Sequence, residues 1–288
     1  MKVNTLKLTN SEYPAILKNL SDAPEILYWA GDSLNQLMAS PRVAVVGSRK
    51  ISPYGQIVTQ RLASELAKAG VVIVSGLAYG VDATAHRAAL EVGGLTVAVL
   101  PTSLDEIYPT AHQNLAEQII KQGGALISEY VPKTIGFKQN FIARNRIVSG
   151  ISDILLITEA AINSGSLHTA RFALEQGKTV MVVPGNITSP TSVGCNNLIK
   201  SGAIPVTEAE DIFFALNLKP NKSKDPLTVF KGTKAEQELF DLIRHGISSQ
   251  EELALTAKMD GPSIGSALTM LEIGGYIRSL GAGEWIVA

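Results

Sequence analysis

Three stretches of the chain carry residue types that bind anions. The first is Arg42-Val-Ala-Val-Val-Gly-Ser-Arg49. Val43 to Val46 is a short apolar run, β-branched except for Ala44, of the kind that forms a strand buried on both faces. Gly47 lets the backbone turn tightly and approach a ligand. Ser48 and Arg49 then stand beyond the strand's carboxyl end, where a guanidinium can fork onto a phosphate. An arginine capping a surface loop gives the same pattern, so the octapeptide leaves both readings open. The second stretch is Gly136-Phe-Lys-Gln-Asn-Phe-Ile-Ala-Arg-Asn-Arg146. Between Tyr130 and Ser152 stand Lys133, Lys138, Arg144 and Arg146 and no acidic residue, with Phe137 and Phe141 interleaved. Cations track a phosphate backbone while rings stack on bases, the usual way of holding single-stranded nucleic acid. Lys138 and Arg144 are assigned to ligand contact because nothing acidic nearby neutralises them; Phe141 is assigned to the core. The third stretch is Asn163-Ser-Gly-Ser-Leu-His-Thr169. Ser164, Gly165 and Ser166 open a helix and either present N–H groups and hydroxyls to an anion or simply cap that helix.

These stretches need a frame. Strands are expected at 43–46, 71–75, 95–100, 125–128, 154–158 and 179–183, with helices near 56–69, 81–92, 112–122, 139–149 and 167–176. The alternation argues for an α/β fold, a Rossmann-like, doubly wound and mostly parallel sheet with right-handed crossovers. Gly70, Gly93-Gly94, Gly123-Gly124 and Gly177 fall where helices should stop. All three anion-binding stretches leave strand carboxyl ends or adjoining helix starts, which places them on one rim. Residues 1–40 read as an introductory segment packed on the core, with a short strand at Ile26–Trp29 and a helical turn at Leu34–Met38. The sheet domain is expected over 41–216, a lysine- and proline-rich linker over 217–232, and a small unit over 233–288. Helical patterns at 234–245, 249–257 and 262–273 followed by a terminal hairpin suggest that this last unit is winged-helix-like.

The chain has 288 residues, 45% hydrophobic and 18% charged, which fits a globular protein with a large core. Its one cysteine, Cys195, excludes an internal disulfide and reads as a buried small residue in a reducing, cytoplasmic setting. Met1 to Asn10 does not read as a signal peptide, and no apolar segment is long enough to span a bilayer. There is no G-x-x-x-x-G-K-[ST] loop and no G-x-G-x-x-G after the first strand. The four histidines are scattered, so neither a metal nor a cofactor is expected. The net charge of −1 hides an asymmetry. Residues 1–234 hold 22 Lys+Arg against 18 Asp+Glu, whereas 235–288 hold 3 against 8. A polyanion is therefore expected on the larger part. The segment 262–273, where a winged helix would read duplex DNA, has Glu272 and no Lys or Arg, which points to a protein contact instead.

Several runs together resemble the DNA-processing protein A (DprA/Smf) family. They are Val-Val-Gly-Ser-Arg49, Val-Ser-Gly-Leu-Ala-Tyr-Gly-Val-Asp82, Ala-Arg-Asn-Arg-Ile147, Ser-Gly-Ser-Leu-His-Thr-Ala170, Val-Pro-Gly-Asn186 and Gly194-Cys-Asn-Asn-Leu-Ile-Lys-Ser-Gly-Ala203. The likeness covers about 13–216, and Leu271-Glu-Ile-Gly-Gly-Tyr-Ile277 resembles the family's winged-helix appendix. It implies an extended Rossmann fold and a non-catalytic protein that binds single-stranded DNA. It also implies a homodimer that protects incoming strands during natural transformation and loads the RecA recombinase. The implied DNA-binding set is Gly47, Ser48, Arg49, Lys138, Asn140, Arg144, Asn145, Arg146, Ser164, Gly165, Ser166 and Thr169. Two places depart from the family: Phe141-Ile142 stands where Phe-Pro is usual, and Pro101-Thr-Ser-Leu-Asp105 where a glycine-rich turn is usual. The alternative is a nucleotide-hydrolysing enzyme of the related LOG-like fold. That reading needs a P-G-G-x-G-T loop and an Arg/Glu pair, for which only Glu159 and Arg171 are candidates.

Overall fold

The computed structural model describes residues 2–218, 232–281 and 283–287. The chain divides into two compact units, Met1–Pro220 and Asn221–Ala288. Most of the segment read as a linker, residues 219–231, lies outside the described residues.

The first unit is built on a nine-stranded sheet in the order β1-β2-β6-β5-β4-β3-β7-β8-β9. Its strands are β1 (Asn4–Lys7), β2 (Ile26–Gly31), β3 (Arg42–Val46), β4 (Val72–Ser75), β5 (Thr96–Val99), β6 (Ala125–Ser128), β7 (Ile154–Ile157), β8 (Thr179–Val182) and β9 (Ile204–Pro205). From β6 across to β9 every pairing is parallel; β2 joins β6 and β1 joins β2 antiparallel. The strand β1 was not anticipated: its Asn-Thr-Leu-Lys buries only Leu6, too little pattern to stand out. The alternation of a strand's side chains supplies both faces of the core. Ala44 and Val46 point into one cluster with Leu155 and Ile157, while Val43 and Val45 point into the other with Ile154 and Leu156.

Helices flank the sheet: α1 (Ala15–Lys18), α2 (Leu34–Ala39), α3 (Pro53–Lys68), α4 (Val81–Glu91), α5 (Gln113–Lys121), α6 (Lys138–Gly150), α7 (Ser166–Glu175), α8 (Val193–Lys200) and α9 (Ala209–Ala215). The helix α3 shows how the sequence sets such an element. Ser52 accepts from the Gly55 N–H at 3.1 Å, Pro53 opens the first turn, and Leu62 and Leu66 share the buried face. At the opposite, amino end of the sheet, Arg42 is buried and pairs with Asp153 at 2.7 Å, tying β3 to the start of β7.

Strand order decides where a ligand can lie. The chain runs β3, β4, β5, β6 in one direction and then returns to place β7 on the other side of β3. Helices leave adjacent strands to opposite sides there, which opens a crevice beyond the carboxyl ends of β3 and β7. The second unit has its own core. The helices α10 (Lys234–Arg244), α11 (Gln250–Ala257) and α12 (Gly261–Ile273) and the hairpin β10 (Ile277–Gly281) and β11 (Glu284–Val287) bury Leu239, Phe240, Leu253, Leu268 and Ile277 among them.

Candidate nucleic-acid interface

Beyond Val46 the chain squeezes between two neighbours. Ser48 donates its N–H to the Glu159 carbonyl at 2.8 Å and its own carbonyl accepts from Val81 at 3.1 Å. A Cβ on Gly47 would lie 2.6 Å from the Glu159 oxygen. At Gly80, with φ +73°, a Cβ would lie 2.2 Å from the Ser48 oxygen. Only glycine fits at either place. The Ser48 hydroxyl closes the turn by accepting from the Lys50 N–H at 3.1 Å, and Arg49 is thrown outward. Its guanidinium carbon sits 5.4 Å from the centre of the Phe141 ring, and that ring meets Tyr108 edge to face at 5.2 Å. Lys138 opens α6 one turn before Phe141 and is exposed, as is Phe137. Arg49 and Lys138, from segments far apart in the chain, therefore share one rim. Phe141 is half-buried and faces a cation, so it is a rim residue and not the core residue expected of it.

Beneath the rim lies a polar cluster that the sequence did not reveal. Arg144 is 3% exposed and donates Nη1 to the carbonyls of Gly76, at 2.5 Å, and Val99. A Cβ on Gly76 would lie 2.3 Å from that nitrogen, so the glycine makes room for the guanidinium. Asp82, also buried, accepts from the N–H groups of Gly76 at 3.0 Å and Ala78 at 3.3 Å and faces the Arg144 charge. Burial raises the Asp82 carboxyl and lowers Arg144 to about 10, each held back by the other's charge. His86 is fully buried on Thr96 at 2.6 Å, and burial, with His112 and Arg144 nearby, lowers it to about 3. His112 bonds the Leu77 carbonyl at 2.8 Å and packs against the edge of Tyr79, whose ring is exposed on the rim. The expectation that nothing acidic stands near Arg144 is thus corrected: the Asp82 charge, from another helix, partly offsets it.

Arg146 is committed as well. It forks onto Glu129 with two bonds of 2.7 Å and reaches the Asp22 carboxylate with Nε at 2.7 Å. It anchors the introductory segment and the strand-β6 exit, with most of its donors engaged. Both arginines are buried, at 3% and 7% exposure, unlike the exposed Arg49 and Lys138. Asn140 is 7% exposed and Asn145 half-buried. On the neighbouring strand end, the hydroxyls of Ser164 and Ser166 bond each other at 2.8 Å. Gly165 is exposed, whereas Ser166 and Thr169 are buried. Glu159 and Arg171 do not meet. Glu159 is buried and accepts from the Ser52 N–H and hydroxyl, while exposed Arg171 pairs with Glu175 at 3.3 Å. The Arg/Glu pair of the enzymatic alternative is not assembled.

A family model for DNA recombination-mediator protein A matches residues 4–217. The chain belongs to that family. It is 39% identical over 281 residues to Protein Smf of Escherichia coli, covering 94% of this chain and 74% of that one. With the DNA processing protein DprA of Streptococcus pneumoniae it shares 41% over 215 residues, 73% of each. The solved structure of the S. pneumoniae protein superposes with a TM-score of 0.69 at 40% identity over 74% of both chains. DNA processing protein A of Helicobacter pylori gives 0.67 at 38%, covering 75% of this chain and 96% of that one. The H. pylori structure is described for its single-stranded DNA binding mode.

The turn from Pro101 to Asp105 has a positioning task. Ser103 donates its N–H to the Thr134 carbonyl at 3.0 Å, and Asp105 accepts from the Lys133 N–H at 3.0 Å. Those bonds fasten the loop that delivers Lys138. Sequence reasoning missed Tyr79 and Tyr108 as rim residues. Tyr79 lies inside the Gly-Leu-Ala-Tyr-Gly run, and that neighbourhood was the available signal.

Proposed function

We propose that the chain binds single-stranded DNA, without catalysis and with little sequence preference, along the carboxyl rim of its sheet. Arg49 and Lys138 engage phosphates, and Phe137, Phe141, Tyr79 and Tyr108 offer ring faces to bases. The observation that carries this is the stacked Arg49–Phe141 pair one helical turn from Lys138, since it sets a cation and an aromatic side by side on an exposed edge. The H. pylori relative supports the ligand class. Acting in the cytoplasm as a homodimer that protects incoming strands and delivers them to RecA belongs to the same proposal, on the strength of the family. Phe214, 86% exposed, and Ile204, 45% exposed, are apolar groups that a second copy would cover.

A titration of single- and double-stranded DNA at two salt concentrations tests it. Single strands should bind more tightly, and Arg49→Ala or Lys138→Ala should weaken binding alike across sequences and flatten the salt slope by about one. Unchanged affinity in both variants would remove the rim from consideration. Release of free base from a nucleoside monophosphate would revive the enzymatic reading.

A further inference from the structure

A cavity of about 500 Å³ opens beside the rim between the start of α3 and the loop that follows β8. Ser52 and Tyr54 line one wall; Gly185, Asn186, Thr191 and Ser192 belong to the other. None of the described residues lining it is charged, so a phosphate is not what it is built to hold. Tyr54 supplies a flat surface: its ring is 50% exposed, and its hydroxyl donates to the Pro184 carbonyl at 2.9 Å, which fixes the ring across the mouth. The opposite wall is equally set. Asn196 holds the Gly185 carbonyl at 3.0 Å and the Gly185 N–H at 3.2 Å. Ser192 is 6% exposed, and its hydroxyl neither caps α8 nor finds another partner among the described residues. A Cβ on residue 185 would sit 2.2 Å from that Oγ, so glycine there leaves the hydroxyl uncovered.

A fixed ring opposite neutral hydrogen-bonding groups, in a space of ligand size, suits a flat, uncharged, polar group. Ser52 is three residues from Arg49, at most about 10 Å along the chain, so a strand held at Arg49 can reach the mouth. We infer that this cavity is a nucleobase subsite, which takes an unstacked base with Tyr54 against its face and Ser192 at its polar edge. The inference rests on the proposed binding of single-stranded DNA, but the cavity would also accept a free nucleoside, which has the same base.

The test uses the full chain. Fluorescence anisotropy compares an oligothymidylate with an abasic strand of equal length. Tyr54→Ala should weaken binding of the base-bearing strand roughly fivefold or more and leave the abasic strand unchanged. Tyr54→Phe, which keeps the ring but loses the bond that fixes it, should bind the base-bearing strand between wild type and Tyr54→Ala. Equal affinities of wild type and Tyr54→Ala for the base-bearing strand would overturn the subsite while leaving the rim intact. If wild type binds no single strand, the rim reading fails, and a nuclear magnetic resonance titration with thymidine decides the cavity separately. Shifts at the Gly185 and Ser192 amides that vanish in Tyr54→Ala uphold it; no shifts, or shifts that persist in Tyr54→Ala, overturn it.

Discussion

Lys138 and Arg144 stand on one helix and carry the same charge, yet they live in different solvents. Lys138, in the first turn, projects into water beside Phe141 and Arg49. Arg144 is 3% exposed, donates Nη1 to the Gly76 and Val99 carbonyls, and has the Asp82 charge nearby. The rim and the layer beneath it therefore divide the work. The upper groups are free to bind an anion. The lower ones hold the Gly76–Gly80 loop, and with it the exposed Tyr79, where the rim needs it. Counting cations along a sequence merges the two layers; burial and a distant acid separate them.

The largest expected effect probes the lower layer. Arg144→Met removes the buried donor of the Gly76 and Val99 carbonyls and the charge that faces Asp82, at a cost of roughly 1–3 kcal/mol for each carbonyl left unpaired. Urea denaturation of the two proteins measures it. A loss below about 1 kcal/mol would mean that Arg144 is dispensable to the fold and that the two layers are not distinct.

The same layer gives stability a pH dependence. His86 titrates near 3 when folded, against about 6.5 when unfolded, because burial and the neighbouring His112 and Arg144 disfavour its charged form. The unfolded chain takes up the proton first as pH falls, so this contribution is complete above about 6.5 and is lost progressively toward 3. Between pH 6.5 and 5 the loss is about 2 kcal/mol. The raised Asp82 carboxyl acts in the opposite sense, gaining stability as pH falls. His86→Gln should flatten the wild-type dependence over that window, as followed by thermal melts at each pH. Parallel curves for the two proteins would count against a neutral buried His86.

On the rim the expectation reverses: binding suffers and stability does not. Arg49→Ala should cost roughly 1–2 kcal/mol of single-strand affinity. Its melting behaviour should stay within about 0.5 kcal/mol of wild type, since an exposed side chain is removed. Anisotropy and melting curves from one preparation check both halves. A variant that binds normally, or one that unfolds, would blur the line between the layers.

What the sequence made legible follows from the range of each interaction. The strand β3, its Gly47 turn and Arg49 are local, set by residues adjacent in the chain, and the parallel sheet follows from the alternation around them. The partial offsetting of Arg144 by Asp82, and the pairing of Arg146 with Glu129 and Asp22, depend on packing between segments far apart. The acid-free window around Arg144-Asn-Arg146 stops one residue short of Glu129, and Asp22 and Asp82 lie far outside it. Phe141 was misplaced for a related reason: a phenylalanine at helical spacing looks the same whether its outer face meets a core or a cation. The edge strand β1 was invisible because an edge with one buried residue has almost no hydrophobic period.

The smallest expected effect compares the rim with the second unit. Over 235–288 that unit also has exposed cations, Arg244, Lys258 and Arg278, but they are dispersed among eight acidic residues. Its helix α12 exposes Met270 and Ile273 and carries Glu272. Cations set in a net-negative field attract a polyanion weakly, and at moderate salt even that attraction is screened within about 10 Å. Replacing all three by alanine in the full chain should therefore shift single-strand affinity by less than about 0.5 kcal/mol. Duplex DNA should gain nothing from the unit's presence. An anisotropy series in which the triple variant lost binding as Arg49→Ala does would show that the polyanion's path extends onto this unit, and the rim alone would no longer account for the site.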